Sequence, residues 1–323
     1  MNSSWQTFIQ ERTLETPKAS AQIILSPLPF MGTLRIQGKD AQTFLQGQTT
    51  CDVRQITPIC SSVGAFCNPQ GRVIATFQLL CRESGFLMLL AADLVEKVAQ
   101  RLKLYILRSK VEVAADDLAL FGITLADSKA LQGILKYPLQ ARGAVIQAHQ
   151  LSWLRMPPPG ERWIALGKPQ AAQAMWLKLV ETLGAAESLP AYWQLQDIRA
   201  GFPTVTSATS EQFLPQMLNL DRLGGIGFAK GCYTGQEIIA RTHYRGQVKR
   251  RLYRVQFASP YTPAPGAPLI AEGETVGQVI NAAPADCSQE ILAVVRCDQA
   301  HRPAVRLAGY SDVPLQWFEL AYI

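Results

Sequence analysis

Several features that define common protein classes are missing from this chain of 323 residues. Charged residues make up only 17% of the sequence and hydrophobic residues 48%, so the composition is not that of a disordered protein. No internal repeat or low-complexity segment is visible. No run of about 18 apolar residues occurs, so we expect no transmembrane helix and no membrane contact. The N-terminus also lacks the basic and apolar regions of a signal peptide.

Patterns of cysteine and histidine that bind metals are absent as well. The cysteines lie scattered at positions 51, 60, 67, 81, 232, 287 and 297, and none belongs to a Cys-x-x-Cys pair. Only three histidines are present. We therefore expect no zinc site and no four-cysteine iron–sulfur site of standard spacing. Scattered cysteines without a signal peptide indicate reduced thiols and a cytoplasmic protein.

One segment, residues 230–237, combines features expected of a reactive thiol. It reads Lys-Gly-Cys-Tyr-Thr-Gly-Gln-Glu, so that Lys230 lies two residues before Cys232. Thr234 and Glu237 precede an apolar run and match a capping box, which predicts a helix N-terminus. Such a terminus and a nearby ammonium both favour the thiolate form, so Cys232 is predicted to be partly thiolate near neutral pH. Cys232 and Lys230 are therefore the predicted catalytic residues. On composition alone, the alternative is a small buried hydrophobic residue.

This segment resembles the signature of the YgfZ family, folate-binding proteins linked to tRNA modification. The similarity continues in residues 200–203, 213–216, 219–220 and 223–226 and, near the N-terminus, in residues 46–50 and 52–53. The family shares a superfamily with the aminomethyltransferase, or T-protein, of the glycine cleavage system. The resemblance implies an accessory protein that binds tetrahydrofolate and supports the assembly or repair of iron–sulfur enzymes, such as tRNA methylthiotransferases, and thereby tRNA modification.

The order of the predicted elements indicates an α+β fold. A short helix at residues 41–46, a β meander over residues 63–90 and a helix from residue 93 are typical of helices packed on one face of an antiparallel sheet. Two further helices are predicted at residues 169–183 and 190–200 by their proline and glycine boundaries. With the resemblance, this predicts two ferredoxin-like α+β subdomains of the aminomethyltransferase type plus a small C-terminal β-barrel.

The length of the chain suits two or three domains. We expect a polar tail over residues 1–20 and a first α+β subdomain over residues 21–115. The second subdomain, with the cysteine segment, is expected over residues 116–245. A discontinuous and intertwined arrangement of the two subdomains is the alternative. Residues 246–323 contain many prolines and glycines between short apolar runs and are predicted to form the β-barrel.

Trp193 and Met31 are predicted folate contacts on the strength of the resemblance. The family has a tryptophan at the place of Trp193 that contacts folate, and a flat pterin needs a flat apolar wall. A second family tryptophan corresponds to Met31, whose sulfur can also pack on an aromatic ring. On composition alone, Trp193 is a core aromatic residue.

Gln48 and Asp52 are the predicted polar contacts of the pterin. They lie in the stretch of residues 46–52, which supplies amides, hydroxyls and a carboxylate beside a helix end. Because a pterin carries several ring donors and acceptors, such groups would orient it. The alternative is a capped turn with a satisfied aspartate.

Residues 241–254 form a basic tract without any acid. Its six cations, Arg241, Arg245, Lys249, Arg250, Arg251 and Arg254, equal the net charge of +6 of the whole chain. One interpretation is a solvated strand and loop. Another is an anion site for the glutamyl tail of folate, with Arg245 as a contact. The third is contact with tRNA phosphates, with Tyr244 and Tyr253 stacking on bases, although no named RNA-binding motif is present.

One difference in sequence between this chain and the T-protein concerns the aminomethyltransferase activity. The T-protein carries an acidic residue after a Gly-x-Val-Ile segment, where this chain has Ala75 and Thr76. Without that carboxylate the usual proton-handling group is missing, so we expect no glycine-cleavage aminomethyltransferase activity. Two alternatives to the accessory role stay open: a tetrahydrofolate-dependent one-carbon transferase with an unknown acceptor, and an RNA-binding module.

Overall fold

The structure, a computed structural model, describes residues 3–127, 129–135, 143–158, 160–310, 312–320 and 322. In chain order its helices are α1 (Ser3–Gln10), α2 (Ala41–Gln46), α3 (Val95–Lys103), α4 (Lys129–Leu135), α5 (Pro169–Leu183), α6 (Pro190–Arg199) and α7 (Gln236–Tyr244). Its strands are β1 (Ile23–Pro27), β2 (Met31–Gln37), β3 (Ser62–Cys67), β4 (Val73–Arg82), β5 (Gly85–Ala91), β6 (Glu112–Asp116), β7 (Ala119–Leu125), β8 (Val145–Ala148), β9 (Leu151–Arg155), β10 (Glu161–Gly167), β11 (Ala186–Glu187), β12 (Arg250–Phe257), β13 (Pro268–Ala271), β14 (Glu274–Ala285), β15 (Ser288–Arg296), β16 (Arg306–Leu307) and β17 (Gln316–Phe318). Helices packed on sheets confirm the predicted α+β class.

The first sheet comprises β3, β4, β5, β2 and β6 in that order, and neighbouring strands are antiparallel. Residues 73–80 of β4 are all buried, so both faces of this strand are covered. Helix α3 packs on β2 and β6 and buries Val95, Val98 and Leu102, which lie on one face at helical spacing. The predicted meander and the apolar face of the following helix are thereby confirmed.

The second sheet comprises β11, β1, β7, β10, β9 and β8 in that order. Strand β1 pairs in parallel with β11 and antiparallel with β7, so the first strand of the chain lies in a sheet whose other strands begin at residue 119 or later. Helix α5 packs on β7 and β10. Its predicted start at Pro169 and its stop are confirmed, because Gly184 takes a left-handed φ of 61°.

Helix α1 lies in the part of the chain predicted to be a tail. Its Trp5 is buried against Phe121 and Trp176, with ring centroids 6.0 and 5.9 Å away. Phe8, three residues later on the same helix, stacks with Trp5. One aromatic pair in a polar stretch produces no recognisable periodicity, yet two large rings bury enough apolar area to hold a short helix in place.

The third sheet comprises β16, β13, β14, β15, β12 and β17 in that order, with antiparallel pairing throughout. A register shift between Val279 and Asn281 marks a bulge in β14, which bends this strand. The sheet curls into a half-barrel around a core that includes Val255, Leu269 and Val295. The predicted C-terminal β-barrel therefore corresponds to a curled half-barrel.

An irregular segment, residues 201–235, crosses between the sheets. The Thr76 hydroxyl of β4 donates to the Pro203 carbonyl and accepts from the Val205 N–H, both over 3.0 Å. Helix α6, just before the segment, contacts β1 of the second sheet and β14 and β15 of the third, which ties these two sheets together. In the described part of the chain, no helix combines the length and the apolar character needed to cross a bilayer.

Candidate functional site

Cys232 lies exposed in the segment that leads into α7. The predicted capping box at Thr234 is wrong, because α7 begins at Gln236 and its N-cap is Gly235, without a side-chain cap. The start of the helix is therefore formed by a glycine and not by the Thr234 hydroxyl.

Gly235 starts the helix because of a contact with a distant turn. Its φ of 82° is left-handed, and a Cβ at this position would lie 2.6 Å from the Asn68 carbonyl oxygen and 2.8 Å from Cα of Gly71. The turn between β3 and β4 thus packs directly on the backbone that precedes α7. Only glycine satisfies both the backbone conformation and the close approach.

Lys230 points inward and joins this segment to the loop after α2. Its ammonium donates to the carbonyl oxygens of Thr49 and Cys51, each over 2.6 Å, and lies 4.8 Å from the ring centroid of Tyr233. The residue is 6% exposed, and this burial lowers the pKa of the ammonium to about 8. Among the described residues its hydrogen-bond partners are backbone carbonyls, and the Cys232 thiol is not one of them.

Further bonds connect residues 46–52 with residues 224–235, two stretches called here the paired loops. The Thr50 hydroxyl donates to the Gly225 carbonyl over 2.6 Å, and the Gly227 N–H donates to the Thr50 carbonyl over 2.8 Å. Thr50 is fully buried, so breaking these bonds would leave polar atoms without partners inside the protein. The fold thus joins two stretches that are far apart in sequence.

The paired loops contain the predicted pterin contacts Gln48 and Asp52. Gln48 accepts from the Thr234 hydroxyl over 3.4 Å. The Asp52 carboxylate accepts from the side chains of Gln46 at 3.0 Å and Arg54 at 2.9 and 2.7 Å. Hydrogen bonds from the Arg54 guanidinium hold the pKa of Asp52 well below its usual range. Asp52 also caps the turn at Val53–Gln55, so the structure favours the interpretation as a capped turn with a satisfied aspartate.

Trp193 lies outside the paired loops, in the core. It is fully buried against the backbone of Gly122 in β7, where a Cβ would lie 2.1 Å from its ring. The guanidinium of Arg162 lies over the ring, 5.1 Å from its centroid. These contacts favour the interpretation as a core aromatic residue, because no part of the ring is accessible to a ligand.

The pair formed by Arg162 and Asp197 is a feature that the sequence analysis missed. Nη1 of Arg162 donates to Oδ1 of Asp197 over 2.7 Å, and the arginine side chain is fully buried. Burial raises the pKa of Asp197, and the facing guanidinium opposes this rise. A single arginine beside the apolar residues 163–166 of β10 is the signal that points to such a pair.

A cavity of about 270 Å³ opens near the second of the paired loops. Its polar lining includes Ser62 and Gln78 of the first sheet and the guanidinium-bearing residues Arg155 and Arg222. Pro157 also lines it and accepts a hydrogen bond of 3.3 Å from the buried Arg162. The buried ion pair therefore supports one wall of this cavity.

A second cavity, of about 590 Å³, contains the predicted folate contact Met31. Its lining also includes three carboxylate-bearing residues, Glu96, Asp116 and Asp117. Even so, no group of three or more His, Cys, Asp or Glu side chains in the described residues is arranged to hold a metal ion. Trp193 lines neither cavity. The two predicted folate contacts, Trp193 and Met31, therefore do not line a common cavity.

The cations of the basic tract divide into two groups. Arg251 pairs with Asp221 and Arg254 pairs with Glu290, each over 2.7 Å. The cations without a carboxylate partner among the described residues are Arg241, Arg245, Lys249 and Arg250. The predicted contact Arg245 is exposed just after α7.

The fold defines a class of protein. The glycine cleavage system aminomethyltransferase T from Bartonella henselae has a similar structure, with a TM-score of 0.73 over 99% of this chain and 89% of that chain. At 13% sequence identity this likeness concerns the fold alone. The chain therefore has the aminomethyltransferase T fold.

Sequence similarity narrows this class to one family. The tRNA-modifying protein YgfZ of Klebsiella pneumoniae (strain 342) is 33% identical over 289 residues, which cover 86% of this chain and 87% of that protein. The protein of the same name from Vibrio vulnificus (strain CMCP6) is 32% identical over 260 residues, which cover 80% and 77%. No family model matches the chain. The chain belongs to the YgfZ family, and the resemblance drawn from its motifs is confirmed.

Proposed function

We propose that this protein is a folate-binding accessory factor that supports tRNA modification through Cys232. Its relatives carry the name tRNA-modifying protein. The observation that carries the proposal is an exposed thiol on a segment fixed on both sides, by Lys230 before it and Gly235 after it. An accessible thiol on a rigid support suits reaction with a group on another macromolecule.

The proposed partners are iron–sulfur enzymes such as tRNA methylthiotransferases, which this protein would help to assemble or repair. Thiolates are the usual ligands of iron–sulfur clusters. Cys232 would supply one such ligand to a cluster that belongs to the partner enzyme. Alternatively, it would accept sulfane sulfur from a donor persulfide, which leaves as a thiol, or carry a one-carbon adduct. In this proposal Lys230 is a positioning residue, because its ammonium is bonded to backbone carbonyls.

Complementation of a strain that lacks this protein tests the role of Cys232. The strain would receive wild type, Cys232→Ser or Cys287→Ser, and methylthiolated tRNA would be measured. Cys287 is also exposed, so its serine variant is a matched control. We expect loss of modification with Cys232→Ser only, in protein that still folds and binds folate. Full rescue by Cys232→Ser would mean that the segment is structural.

For tetrahydrofolate we propose the cavity of about 270 Å³. Ser62 and Gln78 offer donors and acceptors for a pterin, and the guanidinium of Arg222 suits the glutamate carboxylates, whereas that of Arg155 already pairs with Glu161 over 2.6 Å. The larger cavity is less suitable, because its carboxylates would repel an anionic ligand. Bound tetrahydrofolate would supply the nitrogen atoms that carry one-carbon groups.

Calorimetric titration with tetrahydrofolate distinguishes the two cavities. Arg222→Gln should weaken binding about tenfold, since a charge-assisted contact to a carboxylate is lost. Met31→Leu changes a side chain that lines only the other cavity and should leave the affinity unchanged. The opposite pattern, with loss for Met31→Leu alone, would move the folate to the larger cavity.

The fold also favours a second candidate, a tetrahydrofolate-dependent one-carbon transferase with an unknown acceptor. For aminomethyl transfer itself, Ala75 and Thr76 stand where the resemblance places the T-protein carboxylate, and of these two only Thr76 carries a polar group. The Thr76 side chain is the one to consider. Its hydroxyl is buried and bonded to residues 203–205, which leaves it unsuited to proton transfer. Turnover of methylene- or formyl-tetrahydrofolate would support the transferase, and aminomethyl transfer with a lipoylated carrier protein would contradict our expectation.

A further inference from the structure

Three aromatic side chains cluster at the C-terminal end of α7. The rings of Phe228 and His243 stack, with 3.7 Å between centroids and 14° between planes. Tyr244 meets His243 edge-on at 4.7 Å and is 67% exposed. This cluster, called here the aromatic platform, leaves apolar ring surface in contact with water. A planar ligand that covered it would gain hydrophobic and stacking free energy.

The chain on both sides of Tyr244 is basic, and residues 238–271 contain no acid. Arg241 and Arg245 lie on either side of His243 and Tyr244 in sequence, and their charges also stabilise the C-terminal end of the helix. Lys249 lies beyond the end of α7, so stabilisation of the helix terminus does not account for its charge. It is exposed and has no carboxylate partner in the described part of the chain. Positive charge is therefore available here for an anionic partner.

We propose that the aromatic platform binds a base of single-stranded RNA while the adjacent cations contact its phosphates. Proteins that bind single strands combine stacked aromatic rings with a positively charged path for the backbone. A duplex hides the faces of its bases, so the ligand is an unpaired nucleotide, as in a loop of tRNA. The glutamyl tail of folate would use the cations but leave the rings uncovered.

Helix α7 fixes the distance between the platform and the Cys232 segment. Its nine residues span about 13 Å at about 1.5 Å per residue. Cys232 precedes one end of the helix, whereas Phe228 stacks on His243 at the other end. A bound RNA would therefore lie about one helix length from the start of α7. The inference rests on the proposed role in tRNA modification and names RNA as a direct partner.

Fluorescence anisotropy with the purified full-length chain tests the stacking. The probes are a labelled single-stranded RNA oligonucleotide and the duplex of the same sequence. Tyr244→Ala should weaken binding of the single strand about tenfold. Wild type and both variants should bind the duplex more weakly than wild type binds the single strand. Tyr261→Ala is the matched control, because Tyr261 is 72% exposed and lies outside the platform. Equal affinities of the two variants would overturn the proposal.

A salt series tests the phosphate contacts. Replacing Arg245 and Lys249 together by glutamine should reduce the slope of log affinity against log salt by about 1.4, roughly 0.7 per lost contact. Lys168, which directly precedes α5, and Lys178 of α5 are also exposed, and their double glutamine variant removes the same charge elsewhere. The proposal requires an unchanged slope for this control, and equal slope changes would contradict it.

Two further outcomes separate this inference from the proposed function. If Tyr244→Ala weakens binding of polyglutamylated tetrahydrofolate but not of RNA, the platform belongs to the folate site and the inference fails. If wild type binds no RNA while Cys232→Ser still abolishes complementation, the inference fails and the proposed function stands.

Discussion

Arg162 and Lys230 are both buried cations, but they are held in different ways. Arg162 faces the carboxylate of Asp197 at 2.7 Å, so its site is close to neutral. Lys230 faces two carbonyl oxygens and the ring of Tyr233, which carry only partial negative charge. Burial accordingly lowers the pKa of Lys230 to about 8. Burial of a cation that faces only dipoles favours its neutral form, whereas a facing carboxylate favours the charged form.

The largest effect is expected for the paired cation. Arg162→Leu should lower the free energy of unfolding by about 3–5 kcal/mol, because it leaves the Asp197 carboxylate buried without its partner. Urea unfolding measures this value. The double variant Arg162→Leu/Asp197→Leu should recover much of the loss, since it removes both charges. A single variant as stable as wild type would mean that the pair is not buried in solution.

A smaller effect is expected for the cation held by dipoles. Lys230→Met should lower the free energy of unfolding by about 2 kcal/mol, because the carbonyls of Thr49 and Cys51 lose their donor. Lys178→Met, at an exposed site on α5, is the control and should change stability by less than about 0.5 kcal/mol. Equal unfolding curves for the two variants would refute the role of Lys230 as a positioning residue.

The titration of Lys230 distinguishes the two cations further. Its pKa is about 8 in the folded protein against an ordinary value of 10.5, so between these values the unfolded chain binds more protons. The contribution of this group to the free energy of unfolding therefore rises with pH, and the rise between about pH 7 and about pH 9 is about 1 kcal/mol. The difference in unfolding free energy between wild type and Lys230→Met should grow in favour of wild type from neutral pH upward. A difference independent of pH would mean that the ammonium remains hydrated.

The smallest effect on stability is expected at the thiol that Lys230 helps to position. Cys232 is exposed, so Cys232→Ser should change the free energy of unfolding by less than about 0.5 kcal/mol. Cys51 is buried in the other of the paired loops, and Cys51→Ser should cost about 1–3 kcal/mol through burial of a hydroxyl. Thermal unfolding of the two variants compares them directly, and a large loss for Cys232→Ser would assign the cysteine a structural role.

The sequence predicts those elements whose signals are local. Helix α5 is bounded by Pro169 and Gly184, and α2 is followed by Gly47, so their limits follow from the residues at their ends. The strands of the meander are likewise bounded by turn residues. These predictions agree with the structure because proline fixes its own φ and glycine adopts backbone conformations that other residues avoid, and neither property depends on distant contacts.

The candidate site depends on contacts between distant parts of the chain, which a local pattern does not contain. The late start of α7 comes from the turn at residues 68–71, which packs on Gly235. The inward direction of Lys230 comes from the carbonyls of Thr49 and Cys51. The motifs identify both of the paired loops, but only the folded chain reveals that they bond to each other.

The position of β1 also affects how the protein can fold during its synthesis. The first sheet uses only strands between residues 31 and 116, so it can close as soon as that stretch has left the ribosome. Strand β1 is made earlier, yet its partners β7 and β11 are made later. Non-local pairing of this kind is slow and leaves strand edges exposed. The apolar strand β1 therefore remains without a partner in the nascent chain until β7 has been made.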